Sequence, residues 1–250
     1  MPEEIRIIPL EGIPEVREGD DLLGLILKAA EAGPGIESGD VVVVTQKIVS
    51  KAEGRVVSLD SVTPSPEAER LAVETEKDPR LVELILREST RIVRQSGPIL
   101  ITETKHGFVC ANAGIDASNV GPEGLVSLLP EDPDRSAAAI RAAIRGRMGV
   151  DVAVIITDTF GRAWREGHTN VAIGVAGMRP FADYVGQMDP HGYELRVSTL
   201  AVADELAAAA ELVQGKLDGV PVAIVRGYAY PRGEGSAREL VREAEKDLFR

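Results

Sequence analysis

Two runs, Asp40-Val41-Val42-Val43-Val44-Thr45 and Val152-Ala153-Val154-Ile155-Ile156-Thr157-Asp158-Thr159-Phe160-Gly161-Arg162, decide the fold class. The first is an almost unbroken β-branched series, the pattern of a strand covered on both faces, with helices outside the sheet. The second is a β-rich apolar run that stops abruptly at an aspartate, a threonine, a glycine and an arginine. Outward from these, Ile5-Arg6-Ile7-Ile8-Pro9 and Val220 to Val225 read as further strands. Ile99 to Thr102 and Phe108 to Cys110 flank Lys105-His106-Gly107 as a hairpin.

Helical periodicity separates the strands. Asp20 to Ala32 carries a broad leucine-rich stripe and stops at Gly33-Pro34-Gly35. Ser65-Pro66-Glu67 starts a charged helix that ends near Lys77-Asp78-Pro79, and Leu81, Leu84, Ile85 and Glu88 continue a second. Asp132-Pro133 opens a helix that runs to about Met148. An alanine-rich helix is expected from Leu195 toward Gln214-Gly215, and the capping pair Ser236 and Glu239 predicts a closing helix. The expectation is a mixed α/β (α+β) architecture of mixed sheets and outer helices. It forms one unit over residues 1–250, with two intimately packed subdomains as a variant.

A second acidic stretch repeats the plan of the Val152 run. After Phe108-Val109-Cys110 comes Ala111-Asn112-Ala113-Gly114-Ile115-Asp116-Ala117-Ser118-Asn119-Val120, a carboxylate, amide and hydroxyl on small neighbours that permit close backbone approach. Two acidic strand ends, Asp116 and Asp158, suggest one shared site. Ahead of both in the chain, Gln46-Lys47-Ile48-Val49-Ser50-Lys51-Ala52-Glu53-Gly54-Arg55 brings cations to the end of the buried valine strand. These cations either hold polyphosphate oxygens or form a solvated basic turn. The loop from Phe160 to Asn170 holds the single tryptophan, Trp164, and reads as part of a pocket or an interface.

Composition narrows the classes. A formal charge of -12 over 250 residues opposes nucleic-acid and anionic-membrane surfaces. One cysteine permits no internal disulfide, and neither a signal-peptide pattern nor a membrane-length apolar run is present, so a cytoplasmic location is expected. The P-loop, the dinucleotide-binding glycine pattern and the paired-cysteine metal patterns are absent from the sequence. Carboxylates, amides and hydroxyls are hard donors that suit magnesium or manganese, with Lys47, Lys51 or Arg162 offsetting phosphate charge. The plainer alternative gives Asp116 an Asx-turn and Asp158 a helix cap. A metal-dependent phosphohydrolase or a nucleotide-binding regulator fits the same residues.

The runs Val49 to Arg55, Asn112 to Val120 and Ile156 to Arg162, with Pro9-Leu10-Glu11-Gly12-Ile13-Pro14 and Gly233-Glu234-Gly235-Ser236, resemble the signature segments of the coenzyme F-420-0:L-glutamate ligase family, in the same order. That resemblance implies GTP-dependent addition of L-glutamate, giving a γ-glutamyl tail, to the phospholactyl carboxylate of the deazaflavin coenzyme F-420-0, through an acyl phosphate. It implies two divalent-metal sites, Mg2+ or Mn2+, held by Asp116, Asp158, Thr159 and Gln214, and leaves K+ as an open addition. It assigns Ile13, Pro14, Glu15, Val16, Gln46, Lys47, Lys51 and Asn119 to GTP, with Lys51 also catalytic beside the two metal-holding aspartates. Some relatives carry small hydroxyl residues where this chain has Gln46-Lys47. The resemblance also implies a homodimer and a single-domain form, without the nitroreductase-like flavin domain that longer relatives append.

Overall fold

The structure is a computed structural model and describes residues 4–248. Its strands, in chain order, are β1 (Arg6–Leu10), β2 (Val41–Thr45), β3 (Val56–Ser58), β4 (Ser89–Ser96), β5 (Ile99–Thr104), β6 (Val109–Ala111), β7 (Leu125–Ser127), β8 (Ala153–Arg162), β9 (Arg165–Ala176), β10 (Ala182–Asp183), β11 (Thr199–Leu200) and β12 (Val222–Arg226). Its α-helices are α1 (Leu22–Ala32), α2 (Gln46–Ala52), α3 (Pro66–Thr75), α4 (Pro79–Glu88), α5 (Pro133–Met148) and α6 (Val202–Gln214).

Five strands form the main sheet in the order β1-β12-β2-β8-β9, with β2 and β8 parallel and every other neighbour antiparallel. Val41 to Val44 are fully buried, so β2 is covered on both faces as its β-branched composition predicts. Helix α5 packs on β8 and β9, and α6 runs across the sheet from β9 to β12 and β1. In α5, Ala137, Ile140 and Ile144 form the buried stripe; in α6, Ala203, Leu206, Ala207 and Ala210 do so. Contact is close enough that a Cβ at Gly174 of β9 would lie 2.4 Å from the Pro133 carbonyl oxygen at the start of α5. Glycine is required there by space.

A second, smaller core gathers Leu59, Val62, Leu84, Ile85, Leu100, Ile115, Val126 and Leu128, beneath the sheet β4-β5-β6 and the pair β3-β7. Mixed sheets with outer helices therefore match the expected class. No helix among the described residues is long and apolar enough to cross a membrane.

Local differences from the sequence expectation have physical causes. Gln46 to Ala52 is a helix rather than a basic turn, because Gln46, Ile48, Val49, Ser50 and Lys51 are buried by tertiary packing that a seven-residue segment does not advertise. The alanine-rich helix begins at Val202 instead of Leu195; the preceding residues pair as β10–β11 across Ala182↔Leu200. Ser236 and Glu239 do form a capping box, but the helix they open is one 3-10 turn, Ala237–Leu240. The Phe160 to Asn170 loop is the outer part of a long hairpin, β8 and β9 pairing through Phe160↔Thr169 and Gly161↔His168. Strand β4 was not legible, since Arg91 and Arg94 interrupt its apolar residues.

Candidate active site

Asp158 owes its position to the parallel pair β2–β8. The register ends at Thr45↔Thr157, and β2 then turns into α2, so Asp158 is the first residue of β8 beyond its parallel partner. A cavity outside the carboxyl ends of parallel strands is the usual ligand position in such sheets. The β8–β9 register also shifts between Ile156 and Thr157, a bulge that re-aims the following side chains.

The first turn of α2 supplies the next groups. Gln46 is buried and its side-chain carbonyl accepts from the Ser50 hydroxyl at 2.7 Å, which turns its amide donors toward Asp158. Lys47 and Lys51, one helical turn apart, both line the cavity. The Lys47 ammonium donates to Asp116 Oδ2 at 2.7 Å, and the buried Lys51 donates to Glu15 in the segment after β1.

Asp116 comes from the smaller core, where it forms an isolated bridge with Ser127 at the end of β7. Asn112 and Ala113 ahead of it adopt positive φ values of 52° and 55°, a strained conformation for alanine that throws the loop toward the main sheet. The Asx-turn expected of Asp116 is present: Ser118 N–H donates to Oδ1 and the Ser118 hydroxyl to Oδ2, each at 2.8 Å. It coexists with the Lys47 contact. Asp158 is a strand residue and caps no helix.

The two carboxylates titrate in opposite directions. Burial alone would raise Asp116, but the hydrogen bonds from Lys47 and Ser118 hold it below the usual carboxylate range. Burial pushes Asp158 up to about 7, and the nearby Asp116 charge adds to the rise against the opposing Thr159 N–H, Lys47 and Gln46. Both acids line the same cavity.

That site is a cavity of about 720 Å3 between the two cores. Ile13, Pro14, Glu15, Val16, Gln46, Lys47, Lys51, Asp116, Asn119, Asp158 and Thr159 all line it. Gln214 does not: it is fully buried just behind, its amide nitrogen donating to the Val43 and Pro221 carbonyls while its carbonyl oxygen has no partner. Arg162 lies away from the cavity and braces the hairpin turn through the Glu166 and Gly167 carbonyls. Trp164 is 77% exposed at the same turn.

Two groups of lining residues escaped the sequence reading. The segment Gly215, Lys216, Leu217, Gly219, Val220 and Pro221 follows α6, and its signal was the pair of glycines after an alanine-rich helix. Asn119 ties this segment to the acidic loop by donating to the Lys216 carbonyl at 3.2 Å. The other is Glu211, which reaches Thr159 through Asn170, the last residue of the loop that reads as part of a pocket or an interface: the Thr159 hydroxyl donates to Asn170 Oδ1, and Asn170 Nδ2 donates to Glu211.

No group of three or more His, Cys, Asp and Glu side chains is gathered for a metal among the described residues. The donors present are two carboxylates, the Thr159 hydroxyl, and the buried unpartnered oxygens of Asn112, Thr157 and Gln214. An all-oxygen set with few carboxylates suits a hard cation that keeps waters and takes its remaining ligands from phosphate, so the residues fit magnesium or manganese.

The sequence profile of the family described as F420-0:Gamma-glutamyl ligase matches residues 12–227, which contain every residue of the cavity. The chain belongs to that family. It is 50% identical to the Coenzyme F420:L-glutamate ligase of Methanothermobacter thermautotrophicus, over 98% of this chain and 99% of the relative. It is 50% identical to the protein of the same name from Methanopyrus kandleri, over 98% of both, and 46% identical to that of Methanocaldococcus jannaschii, over 86% of both. As a member of the F420-0:gamma-glutamyl ligase family, the chain places the family's matched region across both cores, so the cavity between them falls wholly inside it.

Proposed function

We propose that this chain is a GTP- and divalent-metal-dependent ligase that joins L-glutamate to the phospholactyl carboxylate of coenzyme F420-0, a step of coenzyme F420 biosynthesis in the cytoplasm. The observation that carries the reading is the opening of Asp116 and Asp158, from two separate cores, into one cavity with Lys47 and Lys51, in a member of this ligase family.

The chemistry explains why a nucleotide is needed. A carboxylate repels nucleophiles and has no leaving group. Its oxygen attacks the γ-phosphorus of GTP, the bond from that phosphorus to the bridging oxygen breaks, and GDP departs. The glutamate amine then attacks the acyl carbon, the carbon–oxygen bond to phosphate breaks, inorganic phosphate leaves, and the amine proton passes to solvent. Lys47 and Lys51 hold phosphate oxygens through these steps, and the Ile13 to Val16 segment, Gln46 and Asn119 orient the nucleotide. Magnesium or manganese at Asp116, Asp158 and Thr159, with the Gln214 carbonyl behind them, would draw off charge as the phosphoryl group moves.

The working form is read as a homodimer, because Trp164, Tyr184, Val185, Met188, Tyr193 and Val197 leave large apolar side chains 40–89% exposed.

The test is to mix pure protein with GTP, Mn2+, F420-0 carrying 18O in its lactyl carboxylate, and glutamate, with and without K+. Expected is a glutamylated product that requires all four reactants, with 18O appearing in inorganic phosphate. Phosphate release without acceptor, or GTP binding without turnover, would instead make the protein a phosphohydrolase or a regulator.

A further inference from the structure

Lys47 is held in an unusual place for a phosphate-binding lysine. Its ammonium donates to Asp116 Oδ2 at 2.7 Å and to the Ser118 main-chain carbonyl at 2.5 Å, and its side chain is 17% exposed. Ser118 occupies Asp116 from the other side, its N–H on Oδ1 and its hydroxyl on Oδ2. A carboxylate offers about four lone-pair positions. Three contacts on Asp116 are therefore made within the protein, and Lys47 is the one of them that comes from outside the acidic loop. Lys47 also acts electrostatically on Asp158, so one positive charge serves both acids.

A cation seated on Asp116, in the cavity that Asp158 also lines, stands where the reading above puts a metal. We propose that Lys47 is an internal counter-ion that holds the metal seat at Asp116 in the empty protein, and that it transfers from the carboxylate to the polyphosphate when nucleotide and metal enter together. The inference rests on the metal- and GTP-dependent reading.

The physical basis is competition. For Asp116 Oδ2 to turn its lone pairs to a metal, a part-buried ion pair must open. Of the other acids lining the empty cavity, Glu15 is held by Lys51, Glu211 by Asn170, and Asp158 is the second seat of the metal, so the ammonium needs a new anion to receive it. A bound polyphosphate provides one, and the four-carbon lysine stem allows the ammonium to swing to it while α2 stays in place. Metal and nucleotide then help each other bind, each raising the affinity of the other by the same factor. Lys51, one turn further along, is paired with Glu15 and leaves Asp116 to Lys47.

The experiment measures free Mn2+ by electron paramagnetic resonance, with and without GDP, for the wild type, Lys47→Met and Lys47→Arg, each verified as folded by circular dichroism. Wild type is expected to bind Mn2+ weakly alone and more tightly with GDP. Lys47→Met is expected to bind Mn2+ alone roughly tenfold more tightly than wild type and to gain less from GDP. Lys47→Arg keeps the charge and is expected to follow wild type. Equal nucleotide-free affinity in Lys47→Met and wild type overturns the proposal, as does a Lys47→Arg protein that behaves like Lys47→Met. Wild-type protein that binds no Mn2+ even with GDP defeats the metal-dependent reading itself, a separate outcome. Crystals of the wild type with Mn2+ and GDP give a variant-free check: the ammonium is expected on phosphate oxygens and beyond about 4 Å from Asp116, and an ammonium still on Asp116 refutes the exchange.

Discussion

The Thr159 hydroxyl donates to Asn170 Oδ1 at 2.7 Å, and the same amide donates through Nδ2 to Glu211 Oε2 at 2.9 Å. Glu211 can only accept, so it fixes which end of the Asn170 amide faces Thr159. The threonine proton is then committed, and its lone pairs are left for the cavity. Replacing Asn170 by alanine is expected to lower Mn2+ affinity about 10- to 100-fold. It is also expected to cost about 1–3 kcal/mol of stability, because buried polar groups lose their partners. Metal titration and thermal melts check both effects; an Asn170→Ala protein with wild-type Mn2+ affinity would remove the orienting role.

Asp158 makes the metal-free protein sensitive to pH. Burial, reinforced by Asp116, lifts it to about 7 in the folded state from the ordinary 3.8. Between those values the folded state keeps a proton that the unfolded chain has lost. Stability in chelator is therefore expected to fall as pH rises through this window and to level off above it. Asp158→Asn is expected to flatten the slope and raise the metal-free Tm at pH 8 by about 2–4 °C, equivalent to about 1 kcal/mol in a chain of this size. Parallel wild-type and variant curves in a pH series of melts would show that the surroundings of Asp158 do not hold its proton in this way.

The single thiol gives a reading of the same environment. Burial pushes Cys110 up to about 12, with a further rise from the Asp158 charge. At pH 8 the native protein is expected to resist alkylation by iodoacetamide and to react once unfolded in denaturant, followed by intact mass. Rapid labelling of the native chain would contradict the closed packing around β6.

At the other end of β2, Arg226 clasps the buried Asp40 with Nε at 2.9 Å and Nη2 at 2.8 Å, and joins β12 to the start of β2. Asp40→Ala removes both of these bonds and leaves the guanidinium with Glu37 and the Gly35 carbonyl beside a hole. The expected loss is about 3 kcal/mol of stability, with Mn2+ affinity unchanged because the site lies beyond the far end of the strand. Denaturant melts and metal titration separate the two effects.

The strands were legible where side-chain chemistry was uniform. Val41 to Val44 admit no reading but a doubly covered strand, and the abrupt change at Asp158 marked the strand end at the cavity. The pairing of Asp116 with Asp158 was inferred from two similar strand ends, and the cavity brings them together. What stayed hidden depends on partners distant in the chain. Nothing local in Asn170 or Glu211 announces that they meet across 41 residues, and Gln46 to Ala52 becomes helical because the sheet buries one side of it. The outer β8–β9 hairpin was obscured for the opposite reason: its exposed residues from Gly161 to Gly167 carry no apolar alternation, and pairing alone maintains it.

The claim on which the rest depends is that Asp116 and Asp158 grip the same metal site beside a bound nucleotide. Manganese anomalous scattering from crystals grown with Mn2+ and GDP tests it most directly. The expected map has manganese within about 2.3 Å of carboxylate oxygens of both residues, with phosphate oxygens completing the coordination. Manganese bound elsewhere, or bound with either aspartate turned away, would contradict it.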